Sequence, residues 1–531
     1  MFACVYSGAL AGVEASPIEV EVDCLGGLGQ ISIVGLPDAA VREACERVRS
    51  AIKSCSFLMP PGKKWVVNLA PCDIRKEGSA YDLPIATGIL VSTGLIDGEK
   101  IADLWFVGEL SLSGAVRPVS GVLPIALACQ AAGAAGIVVP EGNAEEAALV
   151  DGLKVFPVSH LMQVMKLSQG LGNGTVYLGK RRERFLASVK IGKDMNEVKG
   201  QAHAKRALQI AAAGRHNMLM VGPPGSGKSM LAERLPGILP PLEYEEALEL
   251  TKLHSVAGLL TRKDSIIFER PFRSPHHSAS VVGLVGGGLM PKPGEISLSH
   301  QGVLFLDELT EFPRTHLDNL RQPLESQKVT ISRAGQTLTY PAAFVLVAAC
   351  NPCPCGYRGD AVKNCVCGPH QAQRYWSRIS GPLLDRIDLK VEVQRLSENE
   401  LTVSRKEESS SAILKKVMRA VELQKVRNRR GNGFVYNGYL NSQELKDHCR
   451  LSSDCKSLMA KAVNQFGLSG RGYDRVLRIS RTIAEHMPDR LAIPKNALKQ
   501  VMTLGDMESA LLDGRHANDA DDDQAGIHLF D

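Results

Sequence analysis

A glycine-rich loop constrains this chain more than any other feature of its sequence. The apolar segment Met218 to Val221 leads directly into the loop, and a helical pattern follows it. Glycines let consecutive backbone N–H groups turn inward on a phosphate, and the following helix points its positive end at the same place. A glycine-rich turn without this role would need neither the strand nor the helix. The loop consists of Gly222, Pro223, Pro224, Gly225, Ser226, Gly227, Lys228 and Ser229.

Two residues of this loop carry the predicted chemistry. Lys228 is expected to neutralise the β- and γ-phosphates of ATP, and the hydroxyl of Ser229 is expected to bind Mg²⁺. The sequence therefore predicts a P-loop site with ATP and Mg²⁺ as its ligands.

A second apolar segment, Gly302 to Leu306, ends in the carboxylates of Asp307 and Glu308. Asp307 can hold the magnesium shell, and Glu308 can polarise a water for in-line attack on the γ-phosphate. Paired acids at a strand end are also common as surface charge. Their position about eighty residues after the loop favours the catalytic interpretation.

A third apolar segment, Phe344 to Ala349, is followed by Asn351. An amide at this strand end could orient the attacking water or the γ-phosphate. A turn-forming asparagine before Pro352 explains the same residue, and both roles can hold at once.

The order of the segments predicts several domains, because 531 residues are too many for one compact core. Strands that alternate with helices predict an α/β fold with a parallel sheet around the glycine-rich loop. The predicted boundaries are 1–167 for an N-terminal α+β domain, 168–195 for a linker, 196–396 for the ATPase core, 397–513 for a helical domain and 514–531 for an acidic, disordered tail.

Composition restricts the cellular context more than the function. A net charge of +5 permits a nucleic-acid partner without arguing for one. No apolar run approaches the roughly 18 residues of a membrane helix, and the N-terminus lacks the basic region of a signal peptide. We expect a cytoplasmic protein with no membrane partner, whose 13 cysteines are thiols or metal ligands.

Four cysteines form two close pairs, Cys353 with Cys355 and Cys365 with Cys367. Four thiolates from two short turns suit a structural Zn²⁺ site, because they leave no open position for catalysis. The spacing is Cys-x-Cys rather than the more usual Cys-x-x-Cys, and free thiols on a loop are the alternative. Cys350, on the strand itself, is expected to pack inside.

The order of these motifs is similar to that of the AAA+ superfamily, in the branch of the magnesium chelatase motor and the minichromosome maintenance helicases. Within it the chain resembles the YifB/ComM group of magnesium-chelatase-like ATPases. The resemblance extends to about Leu512, and the cysteine segment is its most specific feature. It rests on DMNEVKGQAHAKRALQIAAAGRHNMLMVGPPGSGKS, RPFRSPHHSAS, LVAACNPCPCGYRGD, RYWSRISGPLLDRIDL and RGYDRVLRISRTIA.

The resemblance implies a ring, expected as a hexamer, with ATP bound between subunits and a helical C-terminal lid. The segment Gly381 to Asp388 matches the family segment that presents an arginine finger, here Arg386, to the neighbour's γ-phosphate. Without the resemblance, Arg386 would be read as a surface or salt-bridged arginine, and Arg378 is a second candidate. A later segment resembles the sensor-2 helix, in which Arg471 aligns with the sensing position and Arg475 is the next choice.

Two alternating segments between Val329 and Tyr340 predict a β-hairpin. In this AAA+ branch such a hairpin points into the pore of the ring, where Lys328 and Arg333 would meet a phosphate backbone. A hairpin that only packs against its neighbour is the alternative. The segment RPFRSPHHSAS resembles the extra helix insertion of the branch, and its His276 and His277 stay unassigned.

The N-terminal part is similar to the proteolytic domain of Lon-type proteases, a ribosomal S5 domain 2-like fold. That protease chemistry needs a serine nucleophile and a lysine base. The alignment places Tyr81 at the serine position and Leu123 at the lysine position, and the nearby Ser79 has no matching lysine. We therefore expect that the fold is kept and the dyad lost, which leaves an interaction or assembly domain.

The leading functional hypothesis is a ring ATPase that moves on single-stranded or branched DNA, with helicase-like branch migration as in the ComM group. A magnesium chelatase motor is one alternative, although neither the Lon-like domain nor the cysteine insertion is expected of it. An ATP-switched scaffold that assembles partners without translocating is another. An ATPase rate that ignores DNA would favour the scaffold.

Overall fold

The structure is a computed structural model of the chain, and it describes residues 2–27, 29–169, 192–260, 266–288, 291–333, 336–360, 362–396, 400, 407–431, 433–487 and 492–501. The predicted acidic tail, most of the predicted linker and the last residues of the predicted helical domain lie outside these ranges.

The N-terminal part contains a seven-stranded mixed sheet. Its strands are β1 (Phe2–Ala11), β2 (Glu14–Gly26), β3 (Ile31–Val34), β4 (Lys63–Ala70), β5 (Leu104–Phe106), β8 (Gly136–Pro140) and β9 (Lys154–Val158), and a separate small hairpin joins β6 (Glu109–Leu110) to β7 (Val116–Arg117). The order is β3-β4-β2-β1-β5-β8-β9. Strands β1, β2 and β4 pair antiparallel, and the other neighbours pair in parallel. The sequence predicts strands in VEVDC, SIVGLP, WVVNLAP, FVGEL and GIVVPEG. These segments fall in β2, β3, β4, β5 with β6, and β8, while β1, β7 and β9 are additional to the prediction.

Helices cover both faces of this sheet. They are α1 (Ala39–Ser54), α2 (Asp82–Ser92), α3 (Val122–Ala131), α4 (Ala144–Ala147) and α5 (Leu161–Ser168). Helices α1 and α2 pack over one face, on the side chains of Val5, Val20 and Val22. Helices α3 and α4 pack over the other face, on Trp105 and Ile137. The sequence predicts helices over Ala39 to Ile52 and Val122 to Ala132, and α1 and α3 confirm both.

The second sheet has five parallel strands in the order β11-β14-β17-β10-β18. They are β10 (Met218–Val221), β11 (Phe272–Arg273), β14 (Val303–Leu306), β17 (Val345–Cys350) and β18 (Leu389–Glu392). Every residue of β10, β14 and β17 is buried, as expected of strands covered by helices on both faces. The predicted parallel α/β core is therefore confirmed.

Short helices and two hairpins surround this sheet. The helices are α6 (Ala202–Gly214), α7 (Lys228–Ala232), α8 (Tyr244–Ala257), α9 (Val281–Val285), α10 (Glu295–Leu298), α11 (Arg314–Asp318), α12 (Arg321–Ser326), α13 (Pro369–Trp376) and α14 (Gly381–Leu384). The hairpins are β12 (Gly286–Gly287) with β13 (Lys292–Pro293), and β15 (Lys328–Arg333) with β16 (Gln336–Pro341). Single 3₁₀ turns lie at Glu99–Ile101, Glu141–Asn143, Met195–Glu197, Leu235–Ile238, Leu309–Glu311 and Asn437–Tyr439.

The C-terminal part is helical, as predicted, apart from one two-residue hairpin. Its elements are α15 (Ser410–Arg427), β19 (Arg429–Arg430), β20 (Gly433–Phe434), α16 (Ser442–His448), α17 (Ser453–Phe466) and α18 (Gly470–Glu485). Helices α15 and α18 share one apolar core with α6. Polar bonds fix this packing, because Gln424 Nε2 donates to the carbonyl oxygen of Ala213 (2.9 Å) and His216 Nε2 lies 2.8 Å from Thr482 Oγ1.

Helix α8 of the core packs against α3 of the N-terminal part. Leu242, Ala247 and Leu250 belong to the same apolar cluster as α3 and α4. The buried Glu146 accepts hydrogen bonds from Ser255 Oγ and from the backbone N–H of Leu123 (2.9 Å). The two parts therefore meet through an apolar surface with a satisfied polar centre. Among the helices described, none is long and apolar enough to cross a membrane.

Candidate nucleotide site

The glycine-rich loop leaves the carboxyl end of β10 and leads into α7. Gly222 lies so close to β18 that a Cβ atom there would be 2.0 Å from the carbonyl oxygen of Val393. Gly225 and Gly227 have φ values of +79° and +92°, which side chains disfavour. The loop therefore requires glycine at these three positions for its path around a phosphate.

Lys228 points back into the loop. Its Nζ donates to the carbonyl oxygens of Gly222 (2.7 Å) and Pro223 (3.0 Å), and it lies 3.4 Å from Asn351 Oδ1. Burial lowers the pKa of the Lys228 ammonium, and the negative charges of Asp307 and Glu308 only partly offset this effect. A buried cation with neutral partners favours an anion beside it, and a phosphate supplies that anion.

Ser229 and Asp307 come together although they are far apart in the chain. Ser229 Oγ donates to Asp307 Oδ2 at 2.7 Å. Adjacent ligands of an octahedral Mg²⁺ ion, bound at about 2.1 Å, lie about 3 Å apart. The pair therefore has the oxygen chemistry and the spacing that Mg²⁺ requires, and the ion would help neutralise the phosphates.

Glu308 adopts a backbone conformation that is rare for a residue with a side chain. Its φ and ψ are +50° and +49°, which costs about 1 kcal/mol or more. This turn ends β14 and leaves the Glu308 side chain 59% exposed. A carboxylate that keeps its access to water beside a magnesium site is suited to activate that water.

His277 contacts Glu308, which the sequence did not indicate. His277 Nδ1 lies 3.8 Å from Glu308 Oε2. The His277 ring is held by His276, at 4.0 Å between ring centroids, and by the edge of Phe312 at 6.3 Å. The segment after β11 therefore reaches the predicted catalytic base, a contact that no spacing motif could signal.

Gln201 is a second residue that the sequence analysis missed. Its Nε2 donates to the carbonyl oxygens of Ser226 (3.3 Å) and Gln394 (2.7 Å), and so links the loop to the end of β18. Its backbone is left-handed, with φ of +53°. In the sequence, Gln201 is marked only by its position immediately before α6, within the segment DMNEVKGQAHAKRALQ that carries part of the family resemblance.

Arg386 lies at the opposite end of the sheet from Lys228. Asn217 Nδ2 donates to the carbonyl oxygen of Arg386 (3.0 Å), and this contact fixes Arg386 at the amino end of β10. The glycine-rich loop follows the carboxyl end of the same four-residue strand, about 13 Å away at 3.3 Å per residue. Within one chain the structure therefore does not bring Arg386 to the predicted phosphates.

Arg471, at the start of α18, lies beside Arg386 rather than beside Lys228. Both guanidinium groups contact Glu325, and we call Arg386, Arg471 and Glu325 the arginine cluster. The alternative Arg475 instead donates to the carbonyl oxygen of Ile387 at 3.3 Å. Arg378 pairs with Glu311 (3.2 Å) near the end of β14. Of the predicted sensor and finger candidates, only Arg386 and Arg471 therefore share a partner.

The four predicted cysteine ligands converge. Their sulfur atoms all lie within 4.8 Å of one another. The Sγ atom of Cys353 lies 3.3 Å from that of Cys355 and 3.6 Å from that of Cys365. The backbone N–H of Cys355 points at Cys367 Sγ (3.4 Å). Zn–S bonds of about 2.3 Å would place tetrahedral ligands about 3.8 Å apart, so this set can hold a metal ion.

The cysteine loop also touches the glycine-rich loop. A Cβ atom on Gly356, whose φ is +83°, would lie 2.8 Å from Pro224 Cδ. Trp376 Nε1 fixes the loop on its other side by donating to the carbonyl oxygen of Pro352 at 3.1 Å. Cys350 is buried on β17, as expected. A metal held here would therefore stiffen a segment in contact with the phosphate-binding loop.

The β15–β16 hairpin has one buried face and one exposed face. Val329, Ile331 and Tyr340 are buried in the core of the sheet. The exposed face carries Lys328 and two cross-strand hydroxyl pairs, Thr330 with Thr339 and Ser332 with Thr337. Arg333 ends β15, and its side chain lies outside what the structure describes. The hairpin therefore packs one face against the core and presents a polar face to solvent.

The positions aligned with a protease dyad carry no such chemistry. Tyr81 and Leu123 are buried, at 2% and 0% exposure, and burial raises the pKa of the Tyr81 phenol. Ser79 Oγ donates to the carboxylate of Glu109. Among the residues described at this site, the serine hydroxyl is therefore paired with an acid rather than with a lysine base.

Comparison with known proteins gives three family matches and full-length relatives. Residues 194–401 match the magnesium chelatase subunit ChlI family, residues 20–143 match the family described as subunit ChlI of Mg-chelatase, and residues 407–505 match its C-terminal family. The chain is 44% identical to the competence protein ComM of Haemophilus influenzae, over 91% of this chain and 93% of that protein. It is 42% identical to YifB of Escherichia coli, over 91% and 92% respectively. Similarity to a Lon protease of Lachnoclostridium phytofermentans is weaker, at 24% over 30% of the chain.

Two substitutions separate binding from hydrolysis at this site. Lys228→Ala removes the cation that faces the phosphates, so nucleotide turnover should be lost while the fold is kept. Glu308→Gln keeps the shape but removes the base, so ATP should still bind while hydrolysis falls at least about 100-fold. Steady-state hydrolysis and binding of a fluorescent ATP analogue measure both effects. Near wild-type hydrolysis by the glutamine variant would show that Glu308 is not the base.

Proposed function

Because the chain belongs to the YifB/ComM family of magnesium-chelatase-like AAA+ ATPases, we propose that it is an ATP-hydrolysing ring motor that acts on DNA. The specific activity proposed is branch migration on single-stranded or branched DNA, in a ring expected to be hexameric. Membership of the family implies ATP and Mg²⁺ as the ligands of the glycine-rich loop.

One observation carries this proposal more than any other. Lys228 follows the carboxyl end of β10, while Arg386 lies at its amino end. A guanidinium that stabilises the γ-phosphate in the transition state must approach it directly. Since Arg386 lies too far away to do so within its own chain, we propose that the phosphate it contacts belongs to a second subunit. Hydrolysis then requires assembly, and Arg471 would approach the same neighbouring nucleotide.

In this proposal each residue of the site has one role. Lys228 binds the β- and γ-phosphates, and Ser229 and Asp307 hold Mg²⁺, which neutralises phosphate charge when bound. Glu308 accepts a proton from the attacking water, and Asn351 orients that water or the γ-phosphate. Arg386 and Arg471 of the adjacent subunit stabilise the charge on the transferred phosphoryl group.

The exposed face of the β15–β16 hairpin supports DNA as the substrate. Lys328 and the hydroxyl pairs offer a cation and hydrogen-bond donors to a phosphate backbone. The competence protein ComM of Haemophilus influenzae is matched over nearly its full length.

The scaffold alternative retains one supporting observation. The N-terminal part has the buried residues Tyr81 and Leu123 at the predicted dyad positions, which suits an interaction domain. A magnesium chelatase motor is less well supported, because the segment with the four converging cysteines is not expected of such a motor.

DNA-dependent turnover tests the proposed substrate. Arg333→Ala should weaken DNA binding and DNA-stimulated hydrolysis while basal hydrolysis survives, because Arg333 lies at the tip of the hairpin. Arg49→Ala, an exposed arginine on α1, is the matched control and should change neither.

DNA affinity should fall steeply with salt as counterions compete for the phosphates. On a four-way junction, only hydrolysable ATP should move the branch point. Rings that hydrolyse ATP but neither bind DNA nor respond to Arg333→Ala would support the scaffold.

Mixed subunits test the shared site. Lys228→Ala and Arg386→Ala should each hydrolyse poorly alone, because each lacks one half of every site. When the two variants exchange subunits, some interfaces pair an intact Lys228 with an intact Arg386, so part of the activity should return. The readout is hydrolysis across mixing ratios. If subunits demonstrably exchange and no activity returns, Arg386 does not act on a neighbour.

We further propose that the four cysteines hold a structural Zn²⁺. Elemental analysis of protein purified without chelator should give about one zinc per chain, and Cys353→Ser with Cys367→Ser should remove it. Since the loop rests on Pro224, loss of the metal should also lower the melting temperature of the ATPase core. Cys72→Ser, an exposed cysteine outside the cluster, is the control. A metal-free preparation with wild-type stability and turnover would contradict the zinc site.

A further inference from the structure

Glu325 joins the two arginines of the arginine cluster through a single oxygen atom. Its Oε1 lies 2.5 Å from Arg386 Nη2 and 3.3 Å from Arg471 Nη2. Glu325 belongs to α12, Arg386 follows α14 and Arg471 begins α18. Three separate elements, one of them in the helical part, are therefore held together by one carboxylate.

This arrangement resembles the one that a γ-phosphate would impose. A phosphate presents anionic oxygens that accept from more than one guanidinium, and a carboxylate offers the same acceptor with less charge. Arg386 is also only partly satisfied. Its Nη1 donates to the carbonyl oxygen of Pro382, and its buried Nε has no hydrogen-bond partner among the residues described. Glu325 therefore leaves part of the hydrogen-bonding capacity of Arg386 unfilled.

Two members of the arginine cluster are exposed to solvent. The side chains of Glu325 and Arg471 are 51% and 64% exposed, whereas that of Arg386 is 13% exposed. Together with Arg386 they line a cavity of about 710 Å³ between the parallel sheet and the helical part. A phosphate group of an adjacent subunit can therefore enter from solvent, and Glu325 is the anion that it would displace.

We propose that Glu325 is a positioning residue that substitutes internally for the neighbour's γ-phosphate. Without a neighbour, its carboxylate holds Arg386 and Arg471 side by side and offsets one of their two positive charges. When an adjacent subunit brings ATP, the γ-phosphate takes both guanidinium groups and Glu325 is released to solvent. After hydrolysis and loss of phosphate, Glu325 recaptures the arginines. Glu325 thus competes with bound ATP for assembly, a role that rests on the proposed shared site.

Glu325→Gln tests this competition, because the amide keeps the size and one acceptor but loses the charge. The ATP concentration for half-maximal ring assembly should fall by roughly three- to tenfold, the range expected when two partly exposed ion pairs no longer oppose binding. The KM for ATP should fall by a similar factor. Sizing by mass photometry across an ATP titration measures assembly, and steady-state kinetics measure KM.

Two controls separate this role from a general effect of charge. Glu43→Gln removes a 76% exposed carboxylate that lies 3.8 Å from Arg47 on α1, and should leave assembly unchanged. In an Arg386→Ala/Arg471→Ala background, Glu325→Gln should have no effect, because nothing remains for it to release. If the glutamine variant proves unstable on melting, Glu325→Asp is the second variant, since its shorter side chain cannot reach both arginines and should act in the same direction.

The outcomes distinguish a failure of the proposed role of Glu325 from a failure of the proposed shared site. If the wild type neither forms ATP-dependent rings nor recovers activity on mixing subunits, the shared site itself is wrong. If the wild type assembles and Glu325→Gln requires the same ATP concentration, the shared site stands and the role of Glu325 is contradicted. An equal shift in the double-arginine background would also contradict it.

Discussion

The direction of one buried strand organises the site. Strand β10 lies between β17 and β18 with all its residues buried, and all three run in parallel. Its carboxyl end supplies the phosphate-binding loop, at the point where ligands bind in open parallel sheets. Its amino end holds Arg386. Since a strand has two ends and cannot turn within a packed sheet, the glycine-rich loop and Arg386 lie at opposite ends of the sheet.

Asn217 secures the amino end of that strand. Its backbone N–H donates to Asp388 Oδ2 (3.1 Å), and its side-chain Oδ1 accepts from the backbone N–H of Leu346 (2.9 Å). With the bond from its Nδ2 to Arg386, this residue ties β10 to both neighbouring strands. Asp388 also lies 3.5 Å from His216, whose ring contacts Thr482 in the helical part. The position of Arg386 is thus set by partly buried polar bonds rather than by a surface loop.

The N-terminal part bears on the hairpin that would meet DNA. The turn between β1 and β2 approaches β16, so that a Cβ atom at Gly12 would lie 3.5 Å from the carbonyl oxygen of Thr339. Burial raises the pKa of Glu146 at the contact with α8, and its hydrogen bonds from Ser255, Asn143 and Leu123 lower it in part. Satisfying this carboxyl avoids the cost of an unpaired polar group in an apolar interface. Through the contact between Gly12 and Thr339, the hairpin is supported from outside the ATPase core.

The sequence alone determined the features that depend on neighbouring residues. The glycine-rich loop, the acids after β14 and Asn351 after β17 are local patterns, so their residues were identified before any fold was known. Strand β1 was missed because FACVYSGALA mixes small residues without a clear alternation. Only the tertiary structure placed His277 on Glu308, and Glu325 between Arg386 and Arg471. Such contacts join residues far apart in the chain, and they follow from strand direction and helix packing, which no single segment encodes.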